Sequence, residues 1–323
     1  MKIGIVGAGM AGLACAEGLA GQGHDVALFD KGRGPGGRMS TRRVPTLAGE
    51  ASFDHGAQYF TVRDAAFRAR VDDWLARGAV APWPAAGEGA YVGVPAMNAP
   101  IRQMAEGQSA RWATPVTRLE RSSAGWRLVL GAGESIVVDI AVVATPAEQA
   151  AALLASVAPD FAGRAASAPS APCWTAMLAF AETLPTAVDC LEGGEADILG
   201  WAARNRSKPG RTGPEAWVLQ AGPDWSRRHL EADAEWVALA LSAAFSQWLG
   251  LALPATISRG AHRWRYARAG VESVEGSGAL WDADRRLGLC GDWLVGARVE
   301  GAWMSGTLLA GRIAAGPREA GAP

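Results

Sequence analysis

The chain has 323 residues, 49% of them apolar and 20% charged, enough for a large core spread over about two domains and far from the composition of a disordered tail. Its 31 Lys+Arg against 32 Asp+Glu leave a net charge of −1, which excludes a general attraction to nucleic acid or to an anionic membrane. Any specificity therefore has to come from a site. The four cysteines, Cys15, Cys173, Cys190 and Cys290, show no CxxC pair and no metal-ligand spacing, so neither a disulfide framework nor a metal site is expected, and a reducing cytoplasm is the default. Glycines at 4, 7, 9, 12 and 18 interrupt the mildly apolar start, which argues against a cleaved leader, and no apolar run reaches the roughly 18 residues needed to span a bilayer.

In chain order, Lys2–Val6 reads as a strand, Ala11–Gln22 as an Ala/Leu-rich helix and Asp25–Phe29 as a second strand. Between the first two lies Gly7-Ala8-Gly9-Met10-Ala11-Gly12, a G-x-G-x-x-G in the strand-turn-helix setting that its mechanism requires. Gly7 permits the tight turn, Gly9 lets a pyrophosphate approach the backbone, and Gly12 lets the helix pack closely. Helix-start N–H groups, Met10 and Ala11 among them, then face the phosphates. Asp30, at the end of the second strand, is placed to accept from ribose hydroxyls. These thirty residues do not separate NAD from FAD.

The loop that follows, Lys31 to Arg42, is glycine-rich and carries four basic side chains besides Met39. The Gly36-Gly37 pair offers backbone contact, and Arg38 or Arg42 offers bidentate pairing with pyrophosphate oxygens; a solvated basic loop is the alternative. Residues 64–78 have helical spacing with Asp64 as N-cap and Gly78 as stop, and 98–106 reads as a short helix. Strands are expected at 116–120, 125–130 and 135–143, the last turning into a helix with Thr145 as N-cap and Pro146 at its first position. Residues 165–172 read as a crossing linker, 173–181, 198–203 and 216–221 as strands, and 224–248 as one long helix. Near the end, 287–290 is strand-like, Gly291-Asp292 breaks it, and 299–315 reads as a buried helix dense in small residues. The start of that helix, from Arg298 through Val299, Glu300 and Ala302, is a donor site for the N1–C2=O edge of a flavin, with Asp292 near ribityl hydroxyls.

The fingerprint at 7–12, Asp30, GGRMSTR, FDHGAQYF (53–60), RNRSKPGR (204–211), HRWRYA (262–267) and GDWLVGARVEGAWMSG (291–306) together resemble the bacterial branch of the renalase family. The resemblance spans nearly the whole chain, and its narrower part depends on FDHGAQYF and the last two segments. It implies an α/β fold: a discontinuous Rossmann-like FAD-binding domain (1–61, 97–159, 258–323) and a smaller α+β substrate domain on a mixed or antiparallel sheet (62–96, 160–257). It places Val116 near the adenine and Thr145 beside the cofactor, and adds His55, Gly56, Ala57 and Gln58 to the cofactor contacts. It implies non-covalent FAD, since no cysteine matches a covalent attachment, and oxidation of 2- or 6-dihydro isomers of NAD(P)H by dioxygen to NAD(P)⁺ and hydrogen peroxide. The expected partners are that small molecule and dioxygen, with no nucleic acid or membrane, in a cytoplasmic monomer or weak dimer.

The 14 tryptophans are mostly expected in the core, Trp74, Trp236 and Trp248 among them at helical spacing. Trp174, Trp201, Trp217 and Trp264, with Tyr59, are candidates for a flat pocket, and His55, Gln58, Tyr59 and Trp264 for direct contact with the reacting rings. His55 reads equally well as a structural histidine. Of the three lysines, only Lys208 is free for a catalytic role, and its loop reads as exposed or facing an anionic substrate; Arg204, Arg206 and Arg211 beside it read as a solvated cluster. An FAD amine oxidase or desaturase, favoured by a buried lysine or a long apolar tunnel, and a nucleotide-binding module without turnover are the competing readings.

Overall fold

A computed structural model describes residues 1–270 and 278–315. The chain divides into two compact units, one formed by 1–37, 101–170 and the described part of 269–323, the other by 38–100 and 171–268.

In the first unit, a six-stranded sheet runs Leu280–Asp282, Leu287–Leu289, Ile140–Val143, Lys2–Val6, Asp25–Phe29, Ser109–Arg111. All its pairings are parallel except the edge hairpin that brings in Leu280–Asp282. Apolar strands such as Ile140–Val143, buried at every position, suit a parallel sheet covered on both faces. One face carries the helices Met10–Ala20 and Val299–Ala314, whose close approach requires small residues: a Cβ on Gly306 would stand 2.1 Å from the Ala11 carbonyl oxygen, and one on Gly18 2.7 Å from the Ala310 methyl. The other face packs Trp126, Leu128 and Val138 of a three-stranded antiparallel sheet against Val6, Val143 and Leu154.

The second unit is built on a five-stranded antiparallel sheet in the order Cys190–Glu192, Trp201–Arg204, Glu215–Gln220, Ala171–Phe180, Thr256–Arg268. Period-two alternation divides the long strand cleanly. Trp174, Ala176, Leu178 and Phe180 meet Val237, Ala238, Leu241 and Phe245 of the helix Ala234–Leu249, while Met177 and Ala179 meet Ala51 and Phe53 of the hairpin Thr41–Thr46/Gly49–Asp54.

Several sequence expectations need correction. Residues 38–61 and 258–268 pack in the second unit rather than with the nucleotide-binding segments, because Ala51 and Phe53 fill one face of the five-stranded sheet and Thr256–Arg268 is one of its edge strands; residues 97–100 go with them, and 160–170 belong to the first unit. The expected strand 135–143 is two, Ser135–Val138 and Ile140–Val143, because Asp139 takes the Lys2 amide on its carboxylate (2.7 Å) and gives its own amide to the Lys2 carbonyl (2.8 Å), turning the chain from one sheet to the other. Thr145 is no cap: Pro146 occupies that position before Ala147–Leu154. The linker shrinks to 167–170, between the helix Pro159–Ala166 and the strand Ala171–Phe180. The long helix breaks into Pro223–Arg228 and Ala234–Leu249, the second capped by Asp233, which accepts from the Glu235 and Trp236 amides. Trp74 is core, but Trp236 and Trp248 are 47% and 52% exposed, since they fall off the stripe of Val237, Leu241 and Phe245. Asp64 does cap Ala65–Ala76, accepting from the Phe67 amide.

Candidate functional site

The first unit contains the glycine turn. Gly7 has φ +104°, and a Cβ there would meet the Ala144 carbonyl oxygen at 2.7 Å; one on Gly12 would lie 2.0 Å from the Gly7 carbonyl oxygen. Around Gly9, by contrast, a Cβ would meet nothing within 4 Å. Gly9 starts the helix Met10–Ala20 with no side-chain cap, leaving the first-turn N–H groups of Met10, Ala11 and Gly12 for another acceptor. Asp30 braces the turn, its carboxylate accepting from the Ala8 amide (2.7 Å) and the Gly32 amide (2.6 Å). The Thr145 methyl lies beside Gly7, its hydroxyl is buried with no hydrogen-bond partner among the described residues, and its carbonyl accepts from Trp293 Nε1 at 3.2 Å. Open space at Gly9, unspent backbone donors and an orphaned hydroxyl fit the diphosphate of a dinucleotide.

Lys31, Gly37, Val116, Gly291, Asp292, Arg298, Val299, Glu300 and Ala302 belong to this same unit. Gly37 lies next to Gly9, its hypothetical Cβ 3.6 Å from the Gly9 Cα. The helix Val299–Ala314 starts after Arg298, with Glu300 in its first turn and fully buried, so a carboxylate accompanies the backbone donors there.

The remaining expected site residues, Arg38, Met39, Arg42, His55, Gly56, Ala57, Gln58, Tyr59 and Trp264, belong to the second unit. There the segment 54–59 lies on the sheet face opposite the helix Ala234–Leu249. Gln220 Nε2 donates to the Gly56 carbonyl (2.7 Å), and Trp264 Nε1 to the His55 carbonyl (2.7 Å). Gly56 is tight: a Cβ would meet the Arg38 carbonyl oxygen at 2.0 Å, and the Ala57 amide donates to that same oxygen at 2.8 Å. Strand register aligns Trp201, Gln220, Thr175 and His262 in one row across four strands, with Trp264 two residues on.

This face carries a set of rings, His55 buried and Tyr59, Trp201, His262 and Trp264 half-buried. Tyr59 and Trp201 stand 5.5 Å apart between centroids, His55 and Trp264 5.2 Å, and His262 and Trp264 4.5 Å. Burial, helped by His262 and Arg42, pushes the His55 imidazole down to about 4, and burial and Arg42 lower His262, so both rings are neutral near pH 7. Arg42 does not extend into solvent; its Nη2 lies 3.3 Å from His262 Nδ1. Trp174 and Trp217, expected in this wall, point instead to the helix side, Trp217 against Phe245 at 4.7 Å, because their strand positions have the opposite parity.

Behind the segment sits a buried charge cluster, so Lys208 and Arg211 are not the solvated cations expected of their basic run. Asp54 accepts from Thr41 Oγ1 (2.6 Å), the Met97 amide (3.0 Å), Lys208 Nζ (3.3 Å) and Arg211 Nη2 (2.6 Å). Burial alone would raise the Asp54 carboxyl, but Lys208 and Arg211 outweigh it and hold it well below the usual range. Burial pulls the Lys208 ammonium down to about 8 against the opposing effect of Asp54. Lys208 is 1% exposed, the reverse of the expectation for its loop, because the Asp54 carboxylate and the Trp83 ring, 5.2 Å away, replace water around it. Arg204 is paired as well, with Asp189 and Glu215, both at 3.1 Å. The Gln58 amide is spent locally, with Nε2 donating to the Asp54 and Gly56 carbonyls and Oε1 accepting from Lys208, so it shapes the segment and has no N–H left for a ligand. His262 and Asp54 were not singled out in the sequence; alternation along His262-Arg263-Trp264 would have paired His262 with Trp264 on one face.

The fold is shared with two solved proteins. A protein from Exiguobacterium sp. 255-15 assigned as a protoporphyrinogen oxidase superposes with TM-score 0.72 at 13% identity, covering 97% of this chain and 98% of that one. Cyclohexylamine oxidase from Brevibacterium oxydans IH-35A gives TM-score 0.67 at 14% identity over 97% and 98%. Residues 5–74 match the model of the NAD(P)-binding Rossmann-like domain, and residues 83–314 that of the flavin containing amine oxidoreductases. The chain belongs to the flavin containing amine oxidoreductase family, and its cofactor is non-covalent FAD. Among curated proteins, 4,4'-diapophytoene desaturase (4,4'-diaponeurosporene-forming) of Staphylococcus aureus strain Newman is 52% identical over 40 residues, which is 12% of this chain and only 8% of that protein. Among the described residues no helix is long and apolar enough to cross a membrane.

Proposed function

We propose that this flavoenzyme is a renalase-like oxidase of the 2- and 6-dihydro isomers of NAD(P)H. Bound FAD supplies a hydride acceptor whose two electrons pass to dioxygen, so the overall reaction takes dihydro-NAD(P), dioxygen and a proton to NAD(P)⁺ and hydrogen peroxide. The observation that carries this reading is the set of flat, uncharged rings at Tyr59, Trp201, Trp264, His55 and His262. Oxidising a dihydronicotinamide removes a hydride and no proton from the substrate, so the protein need only stack the ring, orient it and keep competing poses out. A neutral aromatic wall does that. The backbone donors at Met10 to Gly12 would take the cofactor's diphosphate, and Asp30, whose oxygens each keep a second lone pair beyond Ala8 and Gly32, its ribose.

A second reading, oxidation of an amine, is favoured by two observations. Tyr59 and Trp201 form an aromatic pair next to Glu192, Trp201's cross-strand neighbour, and burial, helped by Glu192, raises the Tyr59 phenol. The lysine Lys208 is buried, although Asp54 and Gln58 already occupy its ammonium. Anaerobic mixing separates the two: bleaching of the yellow protein by borohydride-generated dihydro-NAD isomers supports the first, and bleaching by amines alone replaces it with the second. Protein that cannot be reconstituted with FAD would sink both.

A further inference from the structure

Strand register continues the ring-lined face to the outer edge of the five-stranded sheet. Glu192 pairs with Trp201, Trp201 with Gln220, Gln220 with Thr175 and Thr175 with His262, so these five residues form one row across all five strands. Parity fixes the side on which Glu192 stands. Leu191, the residue before it, packs with Ala202 and Leu219 on the helix side, which puts Glu192 on the side of Trp201 and Tyr59. Cβ atoms of such a cross-strand pair lie about 5 Å apart, so the carboxylate is held beside the indole. Tyr59 and Trp201 meet at 5.5 Å between centroids and are half-buried, so each ring keeps an open part, and Glu192 is exposed next to them. The other charges at this end are matched, Asp189 by Arg204, and Lys208 and Arg211 by Asp54. Glu192 has no ion pair among the described residues.

We propose that the substrate ring stacks on the open parts of Tyr59 and Trp201 and that Glu192 counters the positive charge which this ring acquires as its hydride leaves. The inference rests on the dihydronicotinamide reading and assigns the group that answers the change of charge. The dihydro ring is neutral; giving up one hydride, two electrons with one hydrogen nucleus, to the bound flavin leaves a pyridinium cation. Aromatic faces and a carboxylate both favour that cation over the neutral ring, so their interaction grows along the reaction and is not spent on the substrate. Exposure of Glu192 keeps the effect modest, which lets the cation leave as product.

The test uses the FAD-loaded protein and two unreactive probes, NAD⁺ and the dinucleotide carrying an uncharged benzamide in place of nicotinamide, with equilibrium binding at low salt followed by the flavin absorbance shift. The wild type is expected to bind NAD⁺ about fivefold more tightly. Glu192→Gln should weaken NAD⁺ about threefold and leave the benzamide dinucleotide unchanged, and Glu192→Asp should recover part of the loss. Trp201→Leu should weaken both probes, and Tyr59→Leu gives the same information if the first variant loses its flavin. Anaerobic reduction by dihydro-NAD isomers should slow in Glu192→Gln by no more than the loss in NAD⁺ binding, since only part of the charge is present in the transition state. No charge preference in the wild type, a preference unaltered in Glu192→Gln, an equal loss of both probes in that variant, or unchanged binding in Trp201→Leu overturns the assignment. Where dihydro-NAD isomers still reduce the flavin, any of these outcomes removes this inference alone; where no isomer reduces it, the functional reading falls and this inference with it.

Discussion

Gly12 touches Gly7 so closely that a Cβ would stand 2.0 Å from its carbonyl oxygen, although Gly9, midway between them in the same turn, faces open space. The two kinds of glycine are separable by experiment. Gly9→Val should leave the thermal midpoint of the flavin-free protein within a few degrees of wild type while weakening FAD binding by about a hundredfold or more, since its side chain fills only the diphosphate's room. Gly12→Val should lower the midpoint of the flavin-free protein itself. Parallel thermal melts and flavin titrations check both, and full flavin retention by Gly9→Val would remove the proposed cradle.

Asp54 is the common acceptor for Lys208 and Arg211, and all three side chains are at most 1% exposed. Asp54→Ala should cost about 3 to 5 kcal/mol, because it leaves two buried cations unpaired. Lys208→Met should cost much less, since Arg211 remains on Asp54. Urea unfolding of the two variants measures the difference, and equal losses would contradict the ordering.

Acid should act on His55 before it acts on Asp54. The folded His55 titrates near 4 against an ordinary 6.5, so the folded state binds fewer protons than the unfolded chain between those values. Its stabilising contribution is complete above pH 6.5 and is lost as the pH falls towards 4, on the order of 3 kcal/mol in all. Asp54, held low by Lys208 and Arg211, contributes stability that begins to fall only below the ordinary carboxylate range. Denaturation midpoints measured from pH 7 to 4 should therefore decline less steeply in His55→Phe than in wild type, with the difference confined to that window.

Gly306 faces the Ala11 carbonyl, so Gly306→Val should push the helices Met10–Ala20 and Val299–Ala314 apart and destabilise the protein by about 1 to 3 kcal/mol. Because Ala11 belongs to the turn proposed to take the diphosphate, flavin affinity should fall together with the thermal midpoint, in contrast to Gly9→Val, where only affinity changes.

The Rossmann half was legible because its signals are local: strand, glycine turn, helix and Asp30 fall within thirty residues, and the helix 299–314 announces itself by small residues and periodicity. The second unit was less so. Lys208 looked exposed in a run of basic residues because the partner that buries it, Asp54, is more than 150 positions away, and no local pattern encodes that pairing. Trp174 and Trp217 are strand tryptophans like Trp201 and Trp264; only the strand register and the position of the helix Ala234–Leu249 decide which face each occupies. Thr145 failed as a cap because the chain stays extended through Pro146, which itself takes the cap position and leaves the Thr145 hydroxyl without a partner among the described residues.

The seating of Val299–Ala314 on Met10–Ala20 also bears on folding. The helix Met10–Ala20 meets, at Gly18 and Ala11, residues that lie some three hundred positions further along the chain, Ala310 and Gly306. Docking the two helices therefore closes a loop of nearly three hundred residues, a long-range step that the local strand-turn-helix contacts cannot substitute for and that slows the folding of this unit.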